Sequence, residues 1–249
     1  MVSRIRIALG RALTFIRRQK PNYRVGVMHS AGNSLLTGLT SQYNGIFAVA
    51  LGADSVQLGS LTSIGSAIGA LISIPLGLAV DRRGVRPFFL LGIALSGAGA
   101  LLYALAGDWR ILIVAAILAA VALRMNSTSC SVICADSVKN EDRATAQSVC
   151  GTLAASLSVL APLLAATLVT HFGGINVQGM RPLYYLRFVG YGVIFAVVAS
   201  RLREPRVTRA SRTGDRWGLA DARQIFAGRT ILWKWIAVST LSALPMAMF

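Results

Sequence analysis

Six stretches of this chain, residues 25–51, 56–80, 87–106, 111–135, 144–170 and 183–200, are long apolar blocks holding only two ionised side chains between them, Arg124 and Arg187. A helix needs about 20 apolar residues to cross hydrocarbon about 30 Å thick. Lipid offers a backbone amide no partner, so each block must satisfy its own N–H and C=O groups as an α-helix. The pattern predicts an all-α membrane protein with six transmembrane helices. A seventh block, 230–249, is just long enough to cross as well. The expected organisation is a basic amphipathic segment at 1–24, a six-span bundle at 25–200, a solvated basic linker at 201–229 and a further span at 230–249.

Charge supports this reading through its placement. Only 14% of the 249 residues are charged, against roughly 25% in an ordinary soluble domain. The formal net charge of +16 would in a soluble protein point to nucleic acid. Here the basic residues cluster at one end of alternate blocks and make no folded basic face, so no nucleic-acid partner is expected. Arg4, Arg6, Arg11, Arg17, Arg18, Lys20 and Arg24 precede the first block, Arg82, Arg83 and Arg86 follow the second, Lys139 and Arg143 follow the fourth. Eight arginines, from Arg201 to Arg229, follow the sixth, whereas the alternate loops hold only Arg110 and Arg181. By the positive-inside rule this places the protein in the cell membrane with its N-terminus and linker in the cytoplasm. Ile5, Leu9, Leu13 and Ile16 share one helical face, as expected of a short helix lying on the anionic leaflet.

Chemistry-bearing clusters are sparse. Cys130, Cys134 and Cys150 lie in or beside apolar blocks without a CxxC pair or a nearby His or acid, so small buried packing residues are expected and a zinc site is not. No phosphate-cradling glycine loop, Ser/His dyad or paired intramembrane acids occur in the sequence, so neither a cofactor nor an enzymatic activity is expected.

The sharpest local pattern joins the second and third blocks: Gly77-Leu-Ala-Val-Asp81-Arg82-Arg83-Gly84-Val-Arg86. Gly84 permits a tight turn, Gly77 lets a neighbouring helix approach, and Asp81 can cap a helix or pair with an arginine. The segment resembles G-x-x-x-D-R-x-G-x-R, the signature loop of the major facilitator superfamily of transporters, at the expected place between two helices. It departs from the family pattern in having Pro87, not a second basic residue, after Arg86. The resemblance implies an N-terminal six-helix half bundle, and a conformational latch made of Gly77, Asp81, Arg82, Gly84 and Arg86 with Asp136 as an additional acid. It also implies alternating access between two six-helix halves, so that this chain would need a second half. The turn around Leu51-Gly-Ala-Asp-Ser is similar to the family's first outside turn, and the second block is rich in Gly and Ser. Ala161-Pro162-Leu-Leu-Ala165-Ala166 sits in the frame of the G-P-x-x-G-G motif of exporting members with alanine at each glycine, which leaves export and simple proline-alanine packing both open.

For the solute pathway, His29, Asn33, Thr37, Thr40 and Asn44 recur at three- and four-residue spacing and so form one polar stripe on the first span. Such a stripe either lines a water-filled cavity or glues helices together. Arg124 lies within the fourth span with Thr128 one turn on, while every acid of the chain belongs to a loop or block end. Its partner is then water, an anionic group of the solute, or an acid in another half. Arg187, just after Pro182 and beside Tyr184 and Tyr185, reads as an interface anchor. His29 is the first span's titratable group, and therefore a candidate for proton coupling.

The resulting expectation is a gradient-driven transporter of a small solute, with an anionic group as one candidate chemistry and the lipid bilayer as its surroundings. The rival is a membrane scaffold or sensor that keeps the fold without transporting, or an inactive remnant. A reporter fused after Arg83 is expected to be active on the cytoplasmic side and one fused after Asp54 on the opposite side; the reverse pattern would overturn the topology.

Overall fold

The structure, a computed structural model, describes residues 14–204 and Val238. The linker from residue 205 and the block 230–249, apart from Val238, lie outside the described residues. Regular structure among the described residues is helical throughout: α1 (Pro21–Ser41), α2 (Tyr43–Ala50), α3 (Ser55–Arg83), α4 (Val85–Leu105), α5 (Trp109–Ser137), α6 (Arg143–His171) and α7 (Val177–Arg201), with a 3-10 turn at Asn140–Asp142. Five of these, α3 to α7, are long and apolar enough to cross a membrane.

Two boundaries differ from the sequence expectation. The first block is not one helix but two, interrupted at Gln42. Around the break, Thr40 Oγ1 donates to the Thr37 carbonyl and Ser41 Oγ to that of Gly38, hydroxyl bonds that compete with the regular helical ladder. The helix of the sixth block, α7, starts at Val177, five residues before Pro182, because the Asn176 side chain accepts from the Gly179 amide at 2.6 Å and caps the helix there. Of the expected amphipathic segment, Ile5, Leu9 and Leu13 lie outside the described residues. Phe15 and Ile16 pack on protein, against the cluster of Tyr23, Val27, Val138 and Ala146.

Turns at the helix ends follow from local chemistry. Gly52 takes φ 90° between α2 and α3. Asp54 and Gln57 then form a reciprocal capping box at the start of α3, with bonds of 2.7 and 3.0 Å. Only one of the main pairings, that of α4 with α5, joins consecutive helices. The most extensive pairings are α4 with α5 and α7, α1 with α6 and α7, and α3 with α5.

These pairings depend on small residues, since lipid supplies no hydrophobic drive between helices and close packing must do the work. A Cβ placed on Gly38 in α1 would lie 2.7 Å from the Ala161 Cβ of α6. Ala161 and Ala165, flanking Pro162, are both fully buried. A second dense layer is aromatic, with Tyr184 centroids 4.9 Å from Phe47 and 5.0 Å from Tyr103.

Gly38→Ala is therefore expected to push α1 and α6 apart and to cost about 1–3 kcal/mol. Gly151→Ala, where an added Cβ meets nothing within 4 Å, is expected to be neutral or to stabilise by up to about 1 kcal/mol. Thermal unfolding of the two variants in detergent compares them directly.

Candidate functional site

A cavity of about 590 Å³ opens between the α1–α2 break, α3 and α5. Its room comes from small side chains: Gly65, Ser66 and Gly69 on α3 face Ala116, Ala119 and Ala120 on α5. Ser41, Asn44, Gly45 and Tyr103 line it near α2, and Arg124 lines it at the other end. Arg124 is exposed to this groove. Its Nε would lie 3.2 Å from a Cβ at position 69, so the glycine there makes space for the guanidinium. Thr128, half-buried, lies one turn beyond and is not part of the groove wall.

The polar stripe of the first span lies mostly elsewhere. Tyr191 donates its hydroxyl to Asn33 Oδ1 at 2.9 Å and lies 3.4 Å from Thr37 Oγ1. Arg187 donates to Thr40 Oγ1 at 2.7 Å, and Tyr184 to Asn44 Oδ1 at 3.1 Å. From Asn33 to Asn44 the stripe thus meets α7, and only Asn44 also reaches the groove. His29 is buried edge-on against Phe89, ring centroids 4.5 Å apart, with neither ring nitrogen hydrogen-bonded.

Arg187 corrects the sequence reading most sharply. Because α7 begins at Val177, Arg187 falls near mid-helix and not at an interface. An arginine at that depth costs about 2.5–3.5 kcal/mol on insertion scales. It turns into the bundle, donating to Thr40 and lying 5.6 Å from the Tyr191 ring centroid. What could have revealed it is the spacing of Tyr184, Arg187 and Tyr191 on one face of α7, matching the stripe of α1.

At the arginine-rich end, the signature loop is built differently from the simplest expectation. Position 81 lies inside α3, three residues before its C-cap, so Asp81 does not begin a helix. Gly77 approaches no neighbour, since an added Cβ there would meet nothing within 4 Å among the described residues. Gly84 carries the turn with φ 95° and ψ 163°, a region that only glycine enters readily. The Glu204 carboxylate accepts from the Val85 amide at 2.8 Å and the Arg86 amide at 3.3 Å. It caps the N-terminus of α4 from a distant part of the chain and complements the helix dipole. Arg86 donates to the Ala199 carbonyl at 2.8 Å. Asn22 and Arg203 exchange two bonds of 2.8 and 3.1 Å, and Lys20 donates to the Asp136 carbonyl at 2.8 Å. Arg82 is exposed on the same turn, and Asp136 is half-buried one residue from the end of α5. Glu204 was not foreseen, because nothing local in the sequence links it to residue 85.

From helix boundaries to groove, the described residues define a multi-pass helical membrane protein. The sequence model of the Major Facilitator Superfamily matches residues 26–249, and the chain belongs to that family. Among solved structures, it is similar to a peptide transporter POT in complex with sulfate, with TM-score 0.56 and 20% identity over 90% of this chain and 47% of that one. It is likewise similar to a POT family transporter in complex with a thioalcohol-conjugated peptide, with TM-score 0.53 and 15% identity over 92% of this chain and 47% of the other. The chain therefore spans about half the length of these solved relatives, and the likeness is one of fold. A comparison with curated proteins finds no match.

Removing the long-range cap tests the basic end. Glu204→Ala is expected to lower stability by about 0.5–2 kcal/mol, the usual cost of a lost cap. Gly84→Ala is expected to cost at least as much, since its Cβ would meet the Glu204 carboxylate at a positive φ. Both are read as shifts in thermal unfolding of the detergent-solubilised protein.

Proposed function

We propose that this chain forms a six-span bundle of a secondary active transporter, which moves a small solute across the cell membrane by alternating access with its N-terminus in the cytoplasm. The observation that carries this reading is the groove itself. An arginine within an apolar helix faces an opening walled by small residues, while Asn33 and Thr40 of the polar stripe are engaged with α7. Membrane-embedded cations of this kind mark solute pathways, and a site at a helix interface near mid-membrane suits transporters in which two bundles rock about it.

The solute is proposed to carry an anionic group. Asp54, Asp81, Asp108, Asp136, Glu141, Asp142 and Glu204 all lie at or near helix ends, so the described bundle offers Arg124 no carboxylate at its own level. An ion or solute gradient supplies the energy in this proposal. Of the residues named from sequence, Arg124 and Asn44 are assigned to the pathway wall. Gly84, Arg86 and the exposed Arg82 are assigned to the conformational loop with Asp81.

Arg124→Ala, made in the intact protein and reconstituted in liposomes, is expected to lower flux of small carboxylates or phosphates at least about tenfold. Insertion and thermal stability should stay close to the parent. Undiminished flux in the variant removes Arg124 from the pathway, and absence of any solute flux in the parent favours a scaffold role.

A further inference from the structure

The bundle interior contains a second cation that the groove does not touch directly. Arg187 is tied on one side, donating to Thr40 Oγ1 at 2.7 Å, and its guanidinium carbon lies 5.6 Å from the Tyr191 ring centroid. Its Nε is buried without a hydrogen-bond partner. A hydroxyl and an aromatic face solvate a guanidinium but do not neutralise it. No acid among the described residues lies at this level of α7, since they all sit at or near helix ends.

The place of this charge relative to the groove follows from its neighbours. Tyr184, one turn before Arg187, stacks on Tyr103 with centroids 5.0 Å apart and an interplanar angle of 16°. It also donates to Asn44. Tyr103 and Asn44 both line the groove, as does Ser41, the residue after Thr40. Arg187 thus stands one side-chain layer behind the α2 end of the groove, while Arg124 stands at the opposite end beside Gly69. In a site shielded from bulk water, a fixed charge acts across such a layer with much less screening than in solution.

We infer that Arg187 is a specificity-determining residue of this groove, whose uncompensated positive charge behind Tyr103 and Asn44 favours a water-soluble solute bearing a carboxylate or phosphate at the α2 end. The inference rests on the transporter reading and deepens it. It adds to Arg124 a second source of anion preference, outside the groove wall. A residue that only pins α1 to α7 would need a hydrogen-bond donor; a residue that selects anions needs the charge.

The test uses the intact protein in phosphatidylcholine nanodiscs, with thermal stabilisation and liposome flux as readouts. The probes are acetate, succinate and inorganic phosphate, set against neutral acetamide, succinamide and glycerol. At least one anion is expected to stabilise the parent by mass action. Arg187→Gln, which retains a donor for Thr40, is expected to weaken that anion about tenfold, the factor expected of one charge acting over roughly 10 Å at an effective dielectric near 20. Arg187→Lys should stay within about threefold of the parent, and neutral probes should be unchanged throughout. Should Arg187→Gln fail to fold, Thr40→Val keeps the charge while removing its acceptor, and it should retain the preference for anions over neutral probes. Loss of that preference in Thr40→Val would assign Arg187 a purely structural role.

Equal anion binding by the parent and Arg187→Gln overturns the inference, as does stabilisation by no anion. Stabilisation that appears only when phosphatidylglycerol is added to the nanodiscs also overturns it, by assigning the anion to lipid. Flux of a neutral solute that is lost in Arg124→Ala and unaffected at Arg187 would leave the transporter reading standing alone. Absence of flux for every probe would remove that reading too.

Discussion

A seam of hydrogen bonds from α1 and the start of α2 to α7 fixes the rest of the bundle. Helices in lipid gain little by burying apolar surface against each other, so register comes from small-residue packing and from polar side chains that must find partners. Asn33 with Tyr191, Thr40 with Arg187, and Asn44 with Tyr184 supply those partners over several turns. Each such bond is worth only about 0.6–2 kcal/mol. Together they allow one rotation of α1 about its axis, because any other would turn an amide or hydroxyl toward hydrocarbon.

That constraint decides where the opening falls. With the polar face of α1 committed to α7, the remaining space lies where α3 and α5 meet across Gly65, Ser66, Ala116 and Ala120. The interruption at Gln42 lets Asn44 serve both seam and groove: its Oδ1 accepts from Tyr184 while its side lines the cavity. The two ends of the bundle are closed by different means. Positive-φ glycines at 52, 173 and 174 make tight turns at one end. At the arginine-rich end, bonds from distant segments converge, with Glu204 on the start of α4, Arg86 on Ala199 and Asn22 on Arg203.

Much of the fold was legible because membrane physics acts residue by residue. Blocks of apolar residues must be helical, and arginines must end them, so the spans could be placed without knowing any contact. Gly84 was legible for the same reason, its turn being a local backbone requirement. The helix boundary at Val177 was harder: Pro182 suggests a start, but the Asn176 cap begins the helix earlier and leaves Pro182 inside it, where it forgoes the backbone bond to the Gln178 carbonyl. That shift of a few residues changed Arg187 from an apparent interface anchor into a mid-helix cation.

By itself the sequence determined the helical class, the number of apolar blocks, the signature loop and the presence of a polar stripe, all of which depend on composition and on spacing along one helix. Only the tertiary structure decided what the stripe faces, which arginine meets the groove, and that Glu204 caps a helix about 120 residues away. Those outcomes depend on which helix lies beside which, and pairing between distant segments leaves no local mark on either one.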